Sequence, residues 1–211
     1  MRIFNIDSPL MRALNYFTDL VILNILWIIC CIPIVTIGAS TTALYGFFLN
    51  RSTESSVVKR FWGQFKSNLK KSTILWMIEV VLLAILVTNI WFYYNNIGGD
   101  FSILRIVFLI PAVILGVGIE YIFPLQSHFE NNVKQTIKNS FLVGMAHFPT
   151  SLLILVIQIS PIILALVNIY IFFRISPLLL MIGQSAIVNI SSLLFKRVFR
   201  QYERGDENED H

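Results

Sequence analysis

The sequence predicts an all-α fold: a polytopic membrane helical bundle with five long transmembrane helices plus a short turn-back helix, arranged as three cytoplasm-facing hairpins. Three observations predict it. Of the 211 residues, 56% are hydrophobic and only 13% charged, about half the ~25% of charge usual in soluble domains. The apolar residues form long uninterrupted runs of the length that crosses a bilayer, without the alternation a β-barrel needs. Lys and Arg crowd some connections and avoid others, the pattern of the positive-inside rule. The chain reads as a single integral membrane domain over residues 1–200 and a charged cytoplasmic tail, 201–211, "QYERGDENEDH", whose composition reads as disordered.

The first span, about 14–35, carries Cys30 and Cys31. Adjacent cysteines on a helix diverge, so they read as small apolar fillers and not as a disulfide. No small-residue cleavage site follows, so the run is expected to stay in the mature chain. The stretch "CIPIVTIGASTTALYGFFLNRS" comes next. Its turn motif is Pro33, Thr36 and Gly38, where proline and glycine can end the helix. Residues 38–51 then run back as a short element whose Ala, Ser, Thr and Gly permit close helix approach in lipid. About 14 helical residues reach roughly 21 Å, less than the ~30 Å core, so this element has to pack against its neighbours.

The turn-back also settles the charge count. With five crossings the two basic termini would face opposite sides. With six segments, every one of the 16 Lys and Arg except Arg105 and Arg174 falls on the inner side. Both termini are then cytoplasmic and the protein is a multi-pass plasma-membrane protein.

The loop "SSVVKRFWGQFKSNLKKST" precedes the second span, 73–94. Val58, Phe61, Trp62, Phe65 and Leu69 recur at helical spacing beside Lys59, Arg60, Lys66 and Lys70. This predicts an interfacial helix over 57–70, resting on the anionic inner leaflet or docking a partner. Nucleic acid is excluded as its target, because Trp and Phe share the face that lipid would take. The third span is about 103–125. The fourth, about 141–170, holds Pro149 and Pro161, which predict a kink. The fifth is about 176–195.

Ionisable groups inside spans are costly and mark candidate sites. Asp19, Glu79, Glu120 and His147 all fall in the inner half of the bilayer on this topology. They form a candidate polar cluster, suited to a proton or cation relay or to a cavity open to the cytoplasm. The competing reading is four separate interfacial groups, each meeting water or a loop lysine. Asn24, Asn89, Gln158, Asn168, Gln184 and Asn189 add donors for interhelical hydrogen bonds. No Walker A loop, H-E-x-x-H or C-x-x-C occurs, and His128, His147 and His211 are scattered. The sequence therefore predicts no catalytic residue, cofactor or metal site, and no enzyme.

"LNILWIICCIPIVTIGASTTALYGF", "FWGQFKSNLKKSTILW" and "YIFPLQSHFENNVKQTIKNSFLVGMAHFPTSLL" together resemble the YesL-like family of integral membrane proteins from Gram-positive bacteria. The pairing of P-x-x-T-x-G-A with Phe61, Phe65, Lys66 and Asn68 carries the resemblance, over about residues 5–200. The family is one of unknown function and implies no site residues. Its genes often neighbour carbohydrate-uptake permeases, polysaccharide-degrading enzymes and sensor kinases. The resemblance therefore implies a non-enzymatic accessory or regulatory role in carbohydrate uptake or polysaccharide utilisation, with a sugar permease or membrane sensor kinase as partner. The alternative from the residues themselves is a small transporter or channel using the inner-leaflet carboxylates.

Overall fold

A computed structural model describes residues 9–50, 52, 56–96 and 102–209 of the chain. Arg2, Arg51, the middle of the connection expected at 95–105 and the end of the tail lie outside these residues, as do the side chains of Asn89, Arg105 and Arg204. The described residues form α1 (Pro9–Cys31), α2 (Ile37–Leu49), α3 (Val57–Asn96), α4 (Ser102–His128), α5 (Val133–Ala146), α6 (Phe148–Val167), α7 (Ile169–Leu178) and α8 (Gln184–Glu209), with no strand among them. Five helical stretches are long and apolar enough to cross a bilayer: Pro9–Cys31, Val57–Thr88, Ile110–His128, Phe148–Val167 and Ile169–Glu203. The protein is thus a multi-pass helical membrane protein, and α2 is the short apolar helix that the turn motif predicts.

The turn works through backbone carbonyls. After α1, Pro33 opens a single 3-10 turn, Ile34–Thr36. The Thr36 hydroxyl lies 2.6 Å from the Cys30 carbonyl and 2.8 Å from that of Pro33, meeting acceptors that the end of a helix leaves open. Gly38 adopts no positive φ. Its role is proximity, because a Cβ there would lie 2.6 Å from both the Ser72 carbonyl oxygen and the Trp76 Cβ. Helix α2 therefore seats directly on α3. Ser40 donates to the Trp27 carbonyl (3.1 Å) and Trp27 Nε1 to Thr41 Oγ1 (3.2 Å), zipping α2 antiparallel to α1. At 13 residues, or about 20 Å, α2 is too short for a full crossing and sits in the middle of the bundle. Ala39, Ala43 and Leu44 are wholly buried and Tyr45 nearly so.

Around α2 the other helices pair off. Helices α3 and α4 run antiparallel, joined by the Gln126–Asn68 contact (3.4 Å) and by Lys71 donating to the Asn131 carbonyl (3.0 Å). Helix α5 returns along α4, with Phe141 filling the space above Gly118 and Gly144 lying against Val117. An Asn132–Gln135 capping box starts it. The kink expected near Pro149 falls at His147, where φ −112° and ψ 38° leave the helical region. Pro149 lacks the N–H that would have bonded the Met145 carbonyl and carried the ladder across the break. The fourth span is therefore two helices, with the first turns of the expected run belonging to α5.

The connection expected at 169–176 is helical instead. Asn168 alone is extended, and its side chain accepts from the Ile171 amide (3.1 Å), which starts α7 at once. Helix α7 passes through a π-helical turn, Leu179–Gly183, into α8. The tail expected to be disordered continues α8 in regular helix as far as Glu209.

Two packing devices hold the bundle together. Asn24 of α1, almost fully buried, inserts its amide into the π turn. Its Nδ2 donates to the Leu180 carbonyl (2.7 Å) and its Oδ1 accepts from the Ser185 amide (3.0 Å). An aromatic stack joins α2, α4 and α8 through Tyr45, Tyr121, Phe195 and Phe199, at centroid separations of 4.9 to 5.7 Å. Such pairs contribute about 0.5–1.5 kcal/mol each beyond their buried area. The stack ends on His128, which bonds Asn50 Oδ1 (2.8 Å) and Glu203 Oε1 (2.7 Å), tying the ends of α2, α4 and α8 together.

Candidate functional site: a carboxylate-lined cavity inside the bundle

Six helices meet at a cavity of about 250 Å³. Helix α1 supplies Trp27; α2 supplies Ile37, Thr41 and Tyr45; α3 supplies Trp76 and Glu79; α4 supplies Ile119, Glu120 and Phe123; α6 supplies Gln158; and α8 supplies Gln184. The local reasons are plain. Trp76 and Glu79 lie three residues apart on α3 and so share its α2-facing side. Glu120 and Phe123 do the same on α4. Gly38 lets α2 approach closely enough for Thr41 and Tyr45 to form the wall between them. Pro124, inside α4, removes the N–H that would have bonded the Glu120 carbonyl.

The site has an unmet polar group. Glu79 is only 6% exposed, and its Oε2 has no hydrogen-bond partner. The neighbouring polar groups are engaged with one another: Gln158 Nε2 donates to the Tyr45 hydroxyl, and Trp27 Nε1 to Thr41. A buried carboxyl oxygen without a partner costs roughly 1–3 kcal/mol or more. It persists where a ligand or a chemical role compensates.

The candidate polar cluster is therefore divided. Glu79 and Glu120 share the cavity, and Asp19 and His147 do not line it. Asp19 is half-buried on α1. His147 sits at the α5–α6 break, its ring 5.9 Å from that of Tyr202. Equal depth along separate helices does not fix facing, and helix rotation sets these two apart. Sequence reasoning missed Trp27, Thr41, Tyr45 and Trp76, whose types are ordinary for a bundle core. It named Gln158 and Gln184 only as generic hydrogen-bonding groups. The signal for them was the small-residue pattern of α2, which marks the helix that everything else surrounds.

The candidate interfacial helix is also divided. Residues 57–70 are the first part of the continuous 40-residue α3, about 60 Å long. Phe61 and Phe65 are buried against the bundle. Arg60 lies over the Phe47 ring (4.1 Å) and donates to the Phe47 carbonyl (2.9 Å). Trp62, with Lys66 above its ring (5.6 Å), and Lys59 remain exposed. The unbroken ladder joins this segment to the span, so it extends the span where a separate helix lying in the membrane plane was expected. The apolar stripe is shared between protein core and surroundings because α2 needs a cover at its C-terminal end.

Comparison with known proteins supplies no reaction. A family described as "Protein of unknown function, DUF624" matches residues 20–90, which hold the second half of α1, the turn, α2 and most of α3. The chain is 25% identical, over an alignment of 208 residues covering 94% of it and 95% of the relative, to "Uncharacterized protein YesL" of Bacillus subtilis (strain 168). The resemblance to the YesL-like family of unknown function thus extends along nearly the whole chain. No solved structure matches it.

Proposed function

We propose that this protein is a non-enzymatic plasma-membrane protein that takes up a small polar solute inside its bundle, as a small transporter does. The observation that supports this is Glu79, buried with an unpartnered oxygen in a cavity that also holds Glu120. Intramembrane carboxylates face protein cavities or pathways far more often than lipid, and solutes bind where helices are interrupted near the middle of a bundle. Here α2 is a short helix, and the π turn leads directly into Gln184, which lines the cavity. The test is electrical. The protein is reconstituted in liposomes on a solid-supported membrane and exposed in turn to sugars, amino acids and amines. At least one class is expected to evoke a current that Glu79→Gln and Glu120→Gln lack. Silence towards every class would remove the reading.

A second reading, accessory to carbohydrate uptake, is favoured by the exposed face of α3. Val58, Trp62 and Leu69 are exposed there beside Lys59 and Lys66, a surface suited to the inner leaflet and to a sugar permease or sensor kinase within it. Affinity purification in mild detergent should recover such a partner from the native membrane. Trp62→Ala and Val58→Ala should reduce the yield, while a chain that purifies alone would count against this role.

A further inference from the structure

The acidic cavity has a neighbour. A second cavity of about 330 Å³ lies between α1, α6, α7 and the start of α8, lined by apolar groups including Ile28, Pro161, Phe172, Leu180 and Ile187. The two cavities share Trp27 and Gln184. One side of this pair of side chains therefore faces two carboxylates and the other faces hydrocarbon. The π turn that borders the second cavity is held by Asn24, and such turns recur at functional sites.

The donors in the acidic cavity narrow the ligand. Among the described residues no group of three or more His, Cys, Asp and Glu is placed to hold a metal ion. Two carboxylates among Trp27, Tyr45, Trp76 and Phe123 suit a larger, softer cation, because aromatic faces attract ammonium groups that have shed their water. A carboxylate supplies the matching charge.

We propose that the two cavities are one site for an organic cation, with an ammonium head between Glu79 and Glu120 and an apolar substituent reaching past Trp27 into the second cavity. This deepens the solute-binding reading above and rests on it. Glu79 supplies the charge and the free acceptor. Trp27 and Gln184 form the waist between head and chain. The second cavity sets the preference for an apolar substituent.

The test uses the whole chain in lipid nanodiscs. The sequence has 4 Trp, so Trp62→Phe with Trp91→Phe leaves Trp27 and Trp76 as reporters. Tetramethylammonium, butyltrimethylammonium and sodium chlorides are titrated at fixed ionic strength, reading tryptophan emission and thermal stability together. Both ammonium ions are expected to give saturable changes, with butyltrimethylammonium binding on the order of tenfold tighter because its added methylenes leave water. Glu79→Gln should lose both responses. Gly183→Val should lose only the advantage of the butyl chain, since Gly183 borders the second cavity and a Cβ there meets nothing closer than 3.4 Å. An equal response to sodium, an affinity indifferent to the butyl group, or a response that survives Glu79→Gln would each overturn the proposal. If neither ammonium ion binds but the liposome screen finds another solute dependent on Glu79, the cation class falls and the solute-binding reading stands. If both assays are silent, both fall.

Discussion

Glu79 is a buried carboxyl group with an unpartnered oxygen. An amide costs less to bury than an ionised carboxylate with an unpaired oxygen, so Glu79→Gln is expected to fold at least as stably as wild type while losing solute response. Thermal unfolding in detergent beside the current assay would show it, and a large loss of stability would mean that Glu79 is a structural group. Two glycines make a matched contrast. Gly38 has no room for a methyl group against Ser72 and Trp76, whereas nothing lies within 4 Å of a Cβ at Gly63. Gly38→Ala should cost about 1–3 kcal/mol by overpacking. Gly63→Ala in α3 should gain about 0.5–1 kcal/mol from helix propensity. Equal effects would contradict the seating of α2 on α3. At this scale the sequence was legible for residue types and not for partners. Glu79 and Glu120 were visible as costly groups inside spans, but nothing local distinguished them from Asp19 or His147. Facing depends on how each helix is rotated about its axis, and that is set by packing.

Among the elements, the two Ser-Pro pairs show how helices tolerate proline in lipid. Pro161 leaves the Ile157 carbonyl without its ladder donor, and Ser160 donates to that carbonyl (2.7 Å). Pro177 does the same to Phe173, and Ser176 answers (2.9 Å). Water is absent from a bilayer core, so side chains have to meet such acceptors. Ser160→Ala and Ser176→Ala should each destabilise by about 0.5–1.5 kcal/mol, and Ser160→Ala combined with Pro161→Leu should recover most of its loss. Failure of that rescue would show that the hydroxyl acts elsewhere. The Asn24 bridge to the π turn is a stronger case. Asn24→Leu strands both a carbonyl and an amide, costs about 1–3 kcal/mol, and should loosen the second cavity first, read as faster hydrogen exchange at Ser185. The turn motif was legible as an element because Pro33, Thr36 and Gly38 act over a few residues. The continuity of α3 was not, because the basic amphipathic pattern of 57–70 reads as a separate interfacial helix until Phe61 and Phe65 are buried in the bundle.

The whole molecule is organised by direction. Helix α1 runs antiparallel to α2, as the Trp27–Ser40 contact shows, and also to α8, where Leu20 meets Ser185 and Asn24 meets Leu180. The start of α1 and the end of α8 therefore point to the same end of the bundle, beside Arg60, Lys71 and His128. The positive-inside rule predicts that this end is the cytoplasmic one. With Cys30 and Cys31 changed to Ser, single cysteines at Arg12 and Gln201 are expected to react with a membrane-impermeant thiol reagent only from the cytoplasmic side. Labelling of the two from opposite sides would refute the arrangement.

The sequence by itself determined that this is a helical membrane protein, where most of its spans lie, that the chain turns back at Pro33–Gly38, and that few of its charges enter the membrane. These follow from transfer energies and local backbone chemistry, which act on short stretches regardless of what surrounds them. Only the tertiary structure decided that α2 is the centre of the bundle, that two of four ionisable groups share a cavity, and that an apolar cavity adjoins it across Trp27 and Gln184. Those are facts of helix rotation and register, which come from steric fit among six helices at once, and no single segment of the chain carries them.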